Sequence, residues 1–225
     1  MIPSKIFQLK KDIALEVAAE KLKAYRLEEP AHEGVDLRLA TEIVDLRLNK
    51  DSLRGVFSRD YITSAYFRGG AREIPLTQES PFILQRHGQR TFLIILDKKD
   101  RANRVANLMS EIIFIRPGGI VEARIMPETL RALHESSPDA TKVIFFDDVD
   151  IPNVKKLSLY GSALASTSLY SNYLEHGKVW YVVFGFKKHN AVMGVTRNCV
   201  VTMFSKVGQE EFVRCIIEDI LPLIG

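Results

Sequence analysis

Two segments of this chain match each other without a gap, and this match constrains the fold more than any other feature. Thr91 to Ile113 can be laid over Cys199 to Leu221 at a constant offset of 108 residues. In each segment an apolar stretch precedes a stripe with helical spacing, and Lys98 coincides with Lys206. Any strand followed by a helix shares the apolar period, so the matched polar positions carry the argument. An internal duplication and a merely shared architecture both remain open.

In the first half of the chain, apolar residues recur first at helical spacing, then at every second position, and then at helical spacing again. Asp12 to Tyr25 has helical spacing and predicts a helix. From Val35 to Asp97 the period is two, which is typical of an antiparallel meander, with turns at residues 49–51 and 68–70. A slip of phase near Glu42 predicts a β-bulge. Strands are expected at 81–85 and 91–96 and a helix at 100–114.

The second half repeats this succession of elements. Strands are predicted at 120–124, 142–146, 178–186, 191–196 and 199–204, with helices at 127–135 and 209–221. Residues 164–175 allow either a helix, with Ser162 as a polar cap, or a loop. The predicted fold class is α+β, with two similar halves, each an antiparallel sheet covered by a long C-terminal helix. Pro117-Gly118-Gly119 predicts a division into 1–117 and 118–225.

The order of elements resembles the half-repeat of the TATA-box-binding protein and related helix-grip domains. The resemblance rests on Thr91-Phe-Leu-Ile-Ile-Leu-Asp-Lys-Lys-Asp-Arg-Ala-Asn-Arg-Val-Ala-Asn-Leu-Met-Ser-Glu-Ile-Ile113 and on the second copy, which ends Ile220-Leu221-Pro222-Leu223-Ile224. It covers the final strand and helix of each half. What it implies is a tandem architecture, and no functional residue is carried over.

The composition is that of a globular protein, with 46% hydrophobic and 26% charged residues. The longest apolar run, Val179 to Phe186, is much shorter than the roughly 18 residues of a membrane-spanning helix. Met1 to Lys5 lacks the apolar core of a signal peptide. Cys199 and Cys215 are too few for a disulfide scaffold and are expected to be reduced and buried. We therefore expect a cytoplasmic protein that does not enter a membrane.

Positive charge is concentrated in two strand-rich regions. Residues 52–116 carry 11 Lys and Arg against 6 acids, and residues 151–206 carry 7 against 1. The connection at 117–150 is acidic, with 3 against 7. These charges either cover solvated loops or form a surface for an anionic partner.

The predicted strand around Tyr61 interleaves aromatic residues with arginine. Phe57, Arg59 and Tyr61 share one face by alternation. Guanidinium groups hold phosphates and aromatic rings stack on bases, so the pattern indicates a nucleic-acid surface. The alternative is a core sheet whose arginine stems pack on the aromatics. The candidate nucleic-acid-binding residues are Arg54, Arg59, Tyr61, Arg68, Arg72, Arg86, Arg90, Lys187, Lys188 and Arg197.

Other chemistry has little support in the sequence. Asp147, Asp148 and Asp150 follow an apolar strand, and we interpret them as a turn cluster because no fourth cation ligand is identifiable. The histidines have no metal-ligand spacing, and no P-loop or nucleophile-elbow motif occurs. No catalytic residue, metal or cofactor is predicted.

The sequence therefore favours a non-enzymatic module that binds DNA or RNA, or a nucleic-acid-associated partner, through basic, aromatic-containing sheet and loop surfaces. One alternative is a protein-interaction or oligomerisation module that pairs with another protein or a second copy. Another alternative is a small-ligand binder or an enzyme that uses residues 161–176 and the acid cluster.

Overall fold

The computed structural model describes residues 1–32, 36–136, 140–186 and 188–225, and its architecture is α+β with antiparallel strand pairing. The chain divides into two compact units. The first unit is Phe7–Val121, and the second unit joins Met1–Ile6 to Glu122–Gly225. Strand β1 (Ile2–Leu9) begins in the second unit and ends in the first.

The first unit contains one antiparallel sheet and two helices. Its elements are the end of β1, α1 (Leu15–Lys23), β2 (Arg26–Pro30), β3 (Arg38–Leu48), β4 (Ser52–Phe67), β5 (Gly70–His87), β6 (Arg90–Ile95), α2 (Lys99–Phe114) and the start of β7 (Ile120–Glu122). Strands β3 to β6 lie side by side in chain order, which confirms the predicted meander. Strand β2, which was not predicted, pairs with β3 at its edge.

The helices cover the face of this sheet to which β4 contributes its odd-numbered apolar residues. Its odd-numbered residues Leu53 and Phe57 are buried together with Phe82 of β5. The stripe of α2 that includes Val105 and Met109 packs into the same cluster. Each fully buried side chain of this size contributes about 1.5–3 kcal/mol, so this shared face anchors the unit.

The turns and the β-bulge that the sequence predicts for the first unit are present. The turns at 49–51 and 68–70 separate β3, β4 and β5 as predicted. The bulge also exists, but it lies three residues later than expected, at Asp45, whose φ is +53°. The register shifts between Val44 and Arg47, and the shift brings Leu46 onto the core face.

The strand β5 is much longer than the predicted 81–85. Residues 71–79 are almost all exposed, so they lack the one-sided alternation that reveals a half-buried strand. The register of β3 with β4 runs to Thr41–Arg59, whereas β4 and β5 pair as far as Phe67–Gly70. Residues 60–77 therefore form a two-stranded extension, which we call the β-arm.

The second unit also contains antiparallel strands together with helices. After the start of β1 come α3 (Pro127–Ser136), β8 (Thr141–Asp147), β9 (Leu157–Tyr160), α4 (Ser168–His176), β10 (Lys178–Phe186), β11 (Ala191–Thr196), β12 (Val200–Met203) and α5 (Gln209–Cys215). The strand order is β1-β12-β11-β10-β8-β9, in which residues 2–5 of β1 pair with β12. In the described part of the chain, no helix has both the length and the apolar character to cross a membrane.

Two expectations for the second unit are revised. Within residues 164–175, Leu164–Ser166 forms a 3₁₀ turn and α4 begins only at Ser168. Thr167 rather than Ser162 caps α4, because its Oγ1 accepts the Tyr170 N–H at 3.2 Å. The closing helix is α-helical only to Cys215 and continues as a π turn over Ile216–Ile220. Three β-branched isoleucines in that turn lower its α-helical propensity. The long C-terminal helix predicted for this half is thus not confirmed.

Candidate nucleic-acid interface

The first unit contains a cleft of about 670 Å³ between its sheet and α2. Four residues at one register line the sheet side, since Leu27 pairs with Thr41, Thr41 with Arg59, and Arg59 with Gln78. Phe57, which precedes Arg59 by two residues on β4, is buried. The same sheet face therefore changes from apolar core to polar cleft at Arg59.

Helix α2 supplies the facing wall. The lining residues recur every three or four positions, so they form one stripe along the helix beside its apolar stripe. They are Arg101, Arg104, Val105, Asn107, Leu108 and Glu111. A helix and a sheet row thus present guanidinium and amide groups to one space.

A buried carboxylate fixes two of the lining side chains. Asp97 is 6% exposed and lies between β6 and α2. Its Oδ1 accepts a hydrogen bond from Arg101 Nε at 2.7 Å, and its Oδ2 accepts from Ser80 Oγ at 2.6 Å and Gln78 Nε2 at 3.3 Å. Gln78 and Arg101 are therefore held in place, and the charge of Arg101 is compensated.

Arg59 and Arg104 have no such compensation. Both are exposed residues of the cleft wall, one on β4 and one on α2. Among the ion pairs between described residues, neither arginine takes part. Two guanidinium groups consequently remain available to an anion that enters the cleft.

Two tyrosines add aromatic surface to the cleft. Burial raises the pKa of Tyr25, Glu29 and Glu111 raise it further, and Arg59 partly opposes them. The Tyr25 phenol therefore stays protonated and uncharged at neutral pH. Tyr61 is 38% exposed, so its ring can still gain a contact.

The β-arm continues the cleft face away from α2. Arg72 pairs with Ala65, and Ala65 lies on the same face of β4 as Arg59 and Tyr61. At about 3.3 Å per residue, the six steps from Arg59 to Ala65 span about 20 Å. The acids Asp60 and Glu73 alternate onto the opposite face of the arm, where Asp60 accepts the Ala40 N–H at 2.9 Å. The arm thus adds Arg72 and no acid to this face, whereas the cleft itself also contains the carboxylates of Glu29 and Glu111.

The other candidates from the first unit do not line this cleft. Arg54 lies on the opposite face of β4 from Arg59, in register with Arg47 and Ile83. Arg90 lies on the face of β6 opposite to Leu93, with its guanidinium 5.3 Å from the Phe92 ring centroid.

Two further candidates lie at opposite ends of β5. Arg86 lies at its far end, in register with Thr91, and Arg68 at the tip of the β-arm. The structure therefore brings together Arg59 and Tyr61, with Arg72 further along the same face.

The candidates from the second unit that can be described have acidic partners. Lys188 forms an ion pair with Glu218. Arg197 Nη2 lies 2.6 Å from Asp147 Oδ2, and its Nη1 lies 3.5 Å from Asp148 Oδ2. Lys187 lies outside the described residues. The predicted acid cluster after β8 is thus engaged by an arginine.

Most residues that line the cleft were not among the candidates from the sequence, including Tyr25, Gln78, Arg101 and Arg104. The polar residues of α2 recur every three or four positions in the sequence, but the prediction used only the apolar stripe beside them. Gln78 gave no signal, because residues 71–79 were not recognised as a strand.

The two cysteines behave as predicted. Both are unpaired and buried. Burial raises the pKa of the Cys199 thiol to about 12 and that of Cys215 to about 11, so neither is a reactive thiolate at neutral pH.

Comparison with known proteins adds no further guide to function. No protein-family model matches this chain, and no curated protein matches it significantly.

Proposed function

We propose that this protein binds single-stranded nucleic acid through the cleft of the first unit and the adjoining face of the β-arm. The observation that carries the proposal is the pair Arg59 and Arg104, which line one cleft from two elements without an ion-pair partner among the described residues. Phosphate oxygens match such guanidinium groups in charge and geometry.

The neighbouring side chains favour a nucleic-acid strand over a simple anion. Tyr25 and Tyr61 offer rings on which bases stack, at about 1–3 kcal/mol per base. Gln78 and Asn107 offer amide donors and acceptors for base edges. A cleft that continues along about 20 Å of strand suits a chain of nucleotides better than one nucleotide.

The test is fluorescence anisotropy with labelled single-stranded and duplex DNA and RNA oligonucleotides at two salt concentrations. Because each phosphate contact releases counterions, affinity for the single strand should fall steeply with salt. We expect Arg59→Glu and Arg104→Glu each to weaken binding at least tenfold. Each variant should also lower the slope of log Kd against log salt concentration by about one, because one phosphate contact is lost.

Arg47→Glu is the matched control. Arg47 is exposed, it belongs to the same unit, and its register partner is Arg54, on the face of β4 opposite to the cleft. The same change of charge there should alter affinity less than twofold. Absence of binding to every oligonucleotide at low salt, or equal losses in Arg47→Glu, would overturn the proposal.

A second candidate function is protein interaction through the β-arm. The specific observation is its exposed apolar side chains, namely Tyr66 at 79%, Leu76 at 44% and Ile74 at 40% exposure. Such a two-stranded extension can pair with another chain. Salt-tolerant self-association that Ile74→Ser abolishes would favour this function over nucleic-acid binding.

A third candidate is a small anionic ligand in the same cleft. It shares Arg59 and Arg104 with the first proposal, so the size of the ligand separates the two. Equal affinity for a mononucleotide and a 12-mer would favour the small-ligand function. A large gain with length would favour the strand.

We also propose that the two units derive from one plan, related to the tandem helix-grip architecture. Support comes from the matched segments, in which Lys98 and Glu111 coincide with Lys206 and Asp219. In both units a final strand, β6 or β12, precedes the closing helix. The π turn after α5 is where the second unit departs from this plan.

A further inference from the structure

The second unit brings three kinds of metal ligand together beside its last helix. His189, Glu211 and Cys215 each place one ligand atom within 4.8 Å of the other two. His189 lies between β10 and β11, and only 5% of its side chain is exposed. Its Nδ1 lies 3.1 Å from Glu211 Oε1, and its Nε2 lies 3.0 Å from Asp219 Oδ2.

Helix geometry explains how these ligands come to share one side. Glu211 and Cys215 are four residues apart, so they lie one turn apart on the same face. In an α-helix four residues overshoot a turn by about 40°, and a second such step would carry Asp219 away from Glu211. The π turn at Ile216–Ile220 has more residues per turn, because its hydrogen bonds close at i→i+5, and it turns Asp219 back toward that face.

The two ring nitrogens of His189 face different carboxylates. Nδ1 is within hydrogen-bond distance of Glu211 Oε1, whereas Nε2 lies 3.0 Å from Asp219 Oδ2 and 3.6 Å from Glu218 Oε2. A metal-bound histidine usually donates its second ring N–H to a carboxylate, which fixes the orientation of the ring. A metal on the Nδ1 side would therefore have Asp219 as the carboxylate behind the ring.

We propose that His189, Glu211 and Cys215 bind a divalent transition metal of the zinc class. Zn²⁺ accepts nitrogen, sulfur and carboxylate ligands together, whereas Mg²⁺ and Ca²⁺ prefer oxygen alone. Bonds of about 2.0–2.3 Å place tetrahedral ligand atoms roughly 3.3–3.8 Å apart. Side-chain adjustments on the order of 1 Å reach that spacing from the observed limit of 4.8 Å.

Three protein ligands leave the fourth position of a tetrahedral site to a water molecule. The metal would fasten the β10–β11 connection to the C-terminal helix, and Asp219 would fix the imidazole from its other nitrogen. Nearby cations moderate the negative charge, because Arg214 Nη1 lies 3.1 Å from Glu211 Oε2 and Lys188 pairs with Glu218. An imidazolium held between Glu211 and Asp219 is the competing explanation, and it gives the Cys215 sulfur no role.

Metal binding through the Cys215 sulfur therefore gives the most direct test of the proposal. The full chain is stripped with a chelator and titrated with Co²⁺ while thiolate-to-metal absorption is followed, and Zn²⁺ affinity is then measured by competition with an indicator. We expect one equivalent of metal and a thiolate band. Cys215→Ser should abolish the band, whereas Cys199→Ser, which replaces the other buried cysteine, should keep it.

A second pair of variants tests the proposal in case a cysteine variant fails to fold. His189→Gln should weaken Zn²⁺ binding at least tenfold, and so should Glu211→Gln, whose side chain is 33% exposed and tolerates the change. His176→Gln, an exposed control that pairs with Asp150, should not weaken it. The proposal is overturned if the wild type binds no metal, if the thiolate band survives in Cys215→Ser, or if His176→Gln weakens binding as much as His189→Gln. The outcome is independent of the cleft, since Arg59→Glu leaves these ligands intact.

Discussion

His134 is a buried imidazole whose two nitrogens both lack a hydrogen-bond partner among the described residues. It lies in α3, with its ring centroid 4.8 Å from that of Tyr170 in an edge-on arrangement. Burial lowers the pKa of His134, and the nearby Glu135 opposes this shift only in part. The folded protein therefore holds the ring in its neutral form.

This environment predicts a loss of stability in acid. The ring takes up a proton near pH 6.5 in the unfolded chain but only at lower pH in the folded chain, so below about pH 6.5 the unfolded state binds more protons. Each unit by which the pKa is lowered amounts to about 1.4 kcal/mol. His134→Phe removes the titration and keeps an aromatic ring against Tyr170.

Urea unfolding at pH 7.5 and pH 5.0 tests this prediction. We expect the wild type to lose about 1 kcal/mol more than His134→Phe between the two values. His176→Gln, which alters an exposed histidine, should follow the wild type. Identical pH dependence in the wild type and His134→Phe would show that His134 is not responsible.

The β-arm depends, as an element, on its two-residue turn. Phe67 pairs with Gly70, and the intervening Arg68 and Gly69 have φ of +42° and +86°. Positive φ at both positions is typical of a type I′ turn, whose twist matches that of the paired strands. Gly69 provides this conformation without the steric cost that a side chain brings.

Two adjacent glycines allow a matched test of the turn. A Cβ added at Gly69 or at Gly70 meets no atom within 4 Å, but only Gly69 has a positive φ. Gly69→Ala should therefore lower the free energy of unfolding by about 1–2 kcal/mol, while Gly70→Ala should change it by about 0.5 kcal/mol or less. Equal effects in urea titrations would show that the turn conformation is not the cause.

Elements with a clear apolar pattern were the ones that the sequence could predict. The α2 helix matches its predicted span closely because its apolar residues recur on one side, and β10 matches because it is a continuous apolar run that is buried on both faces. The first half of β5 was missed because residues 71–79 are almost all exposed. The π turn was missed because its isoleucines have the same spacing as a continuing α-helix.

The cleft was predicted only through Arg59 and Tyr61, with Arg72 beyond it. Local alternation could show that Arg59 and Tyr61 share a face, but not that α2 lies opposite them. Arg54 and Arg90 carry the same charge as Arg59 and differ from it only in which side of the sheet they occupy. That difference depends on register, which is a property of strand pairing and not of a single strand.

At the scale of the whole molecule, the second unit is discontinuous in sequence. Its main segment begins at Glu122, yet residues 2–5 of β1 pair with β12. Apolar periodicity carries no information about which distant strand β1 joins. Lys5 of β1 is fully buried and forms an ion pair with Glu122, whose side chain is 40% exposed. This pair links the N-terminus to the rest of its unit.

The Lys5–Glu122 pair gives a test of that connection in the intact chain. Glu122→Ala removes this carboxylate from a buried ammonium and should lower the free energy of unfolding by about 2 kcal/mol, less than for a fully buried pair because Glu122 is partly solvated. Lys5→Met in the Glu122→Ala background removes the buried charge and should restore part of the loss. Glu42→Ala, which breaks an exposed pair with Arg26, should lower the free energy of unfolding by much less than Glu122→Ala in the same urea titration. If Glu122→Ala costs no more than Glu42→Ala, or if Lys5→Met restores nothing, the N-terminal strand does not depend on this ion pair for its place in the second unit.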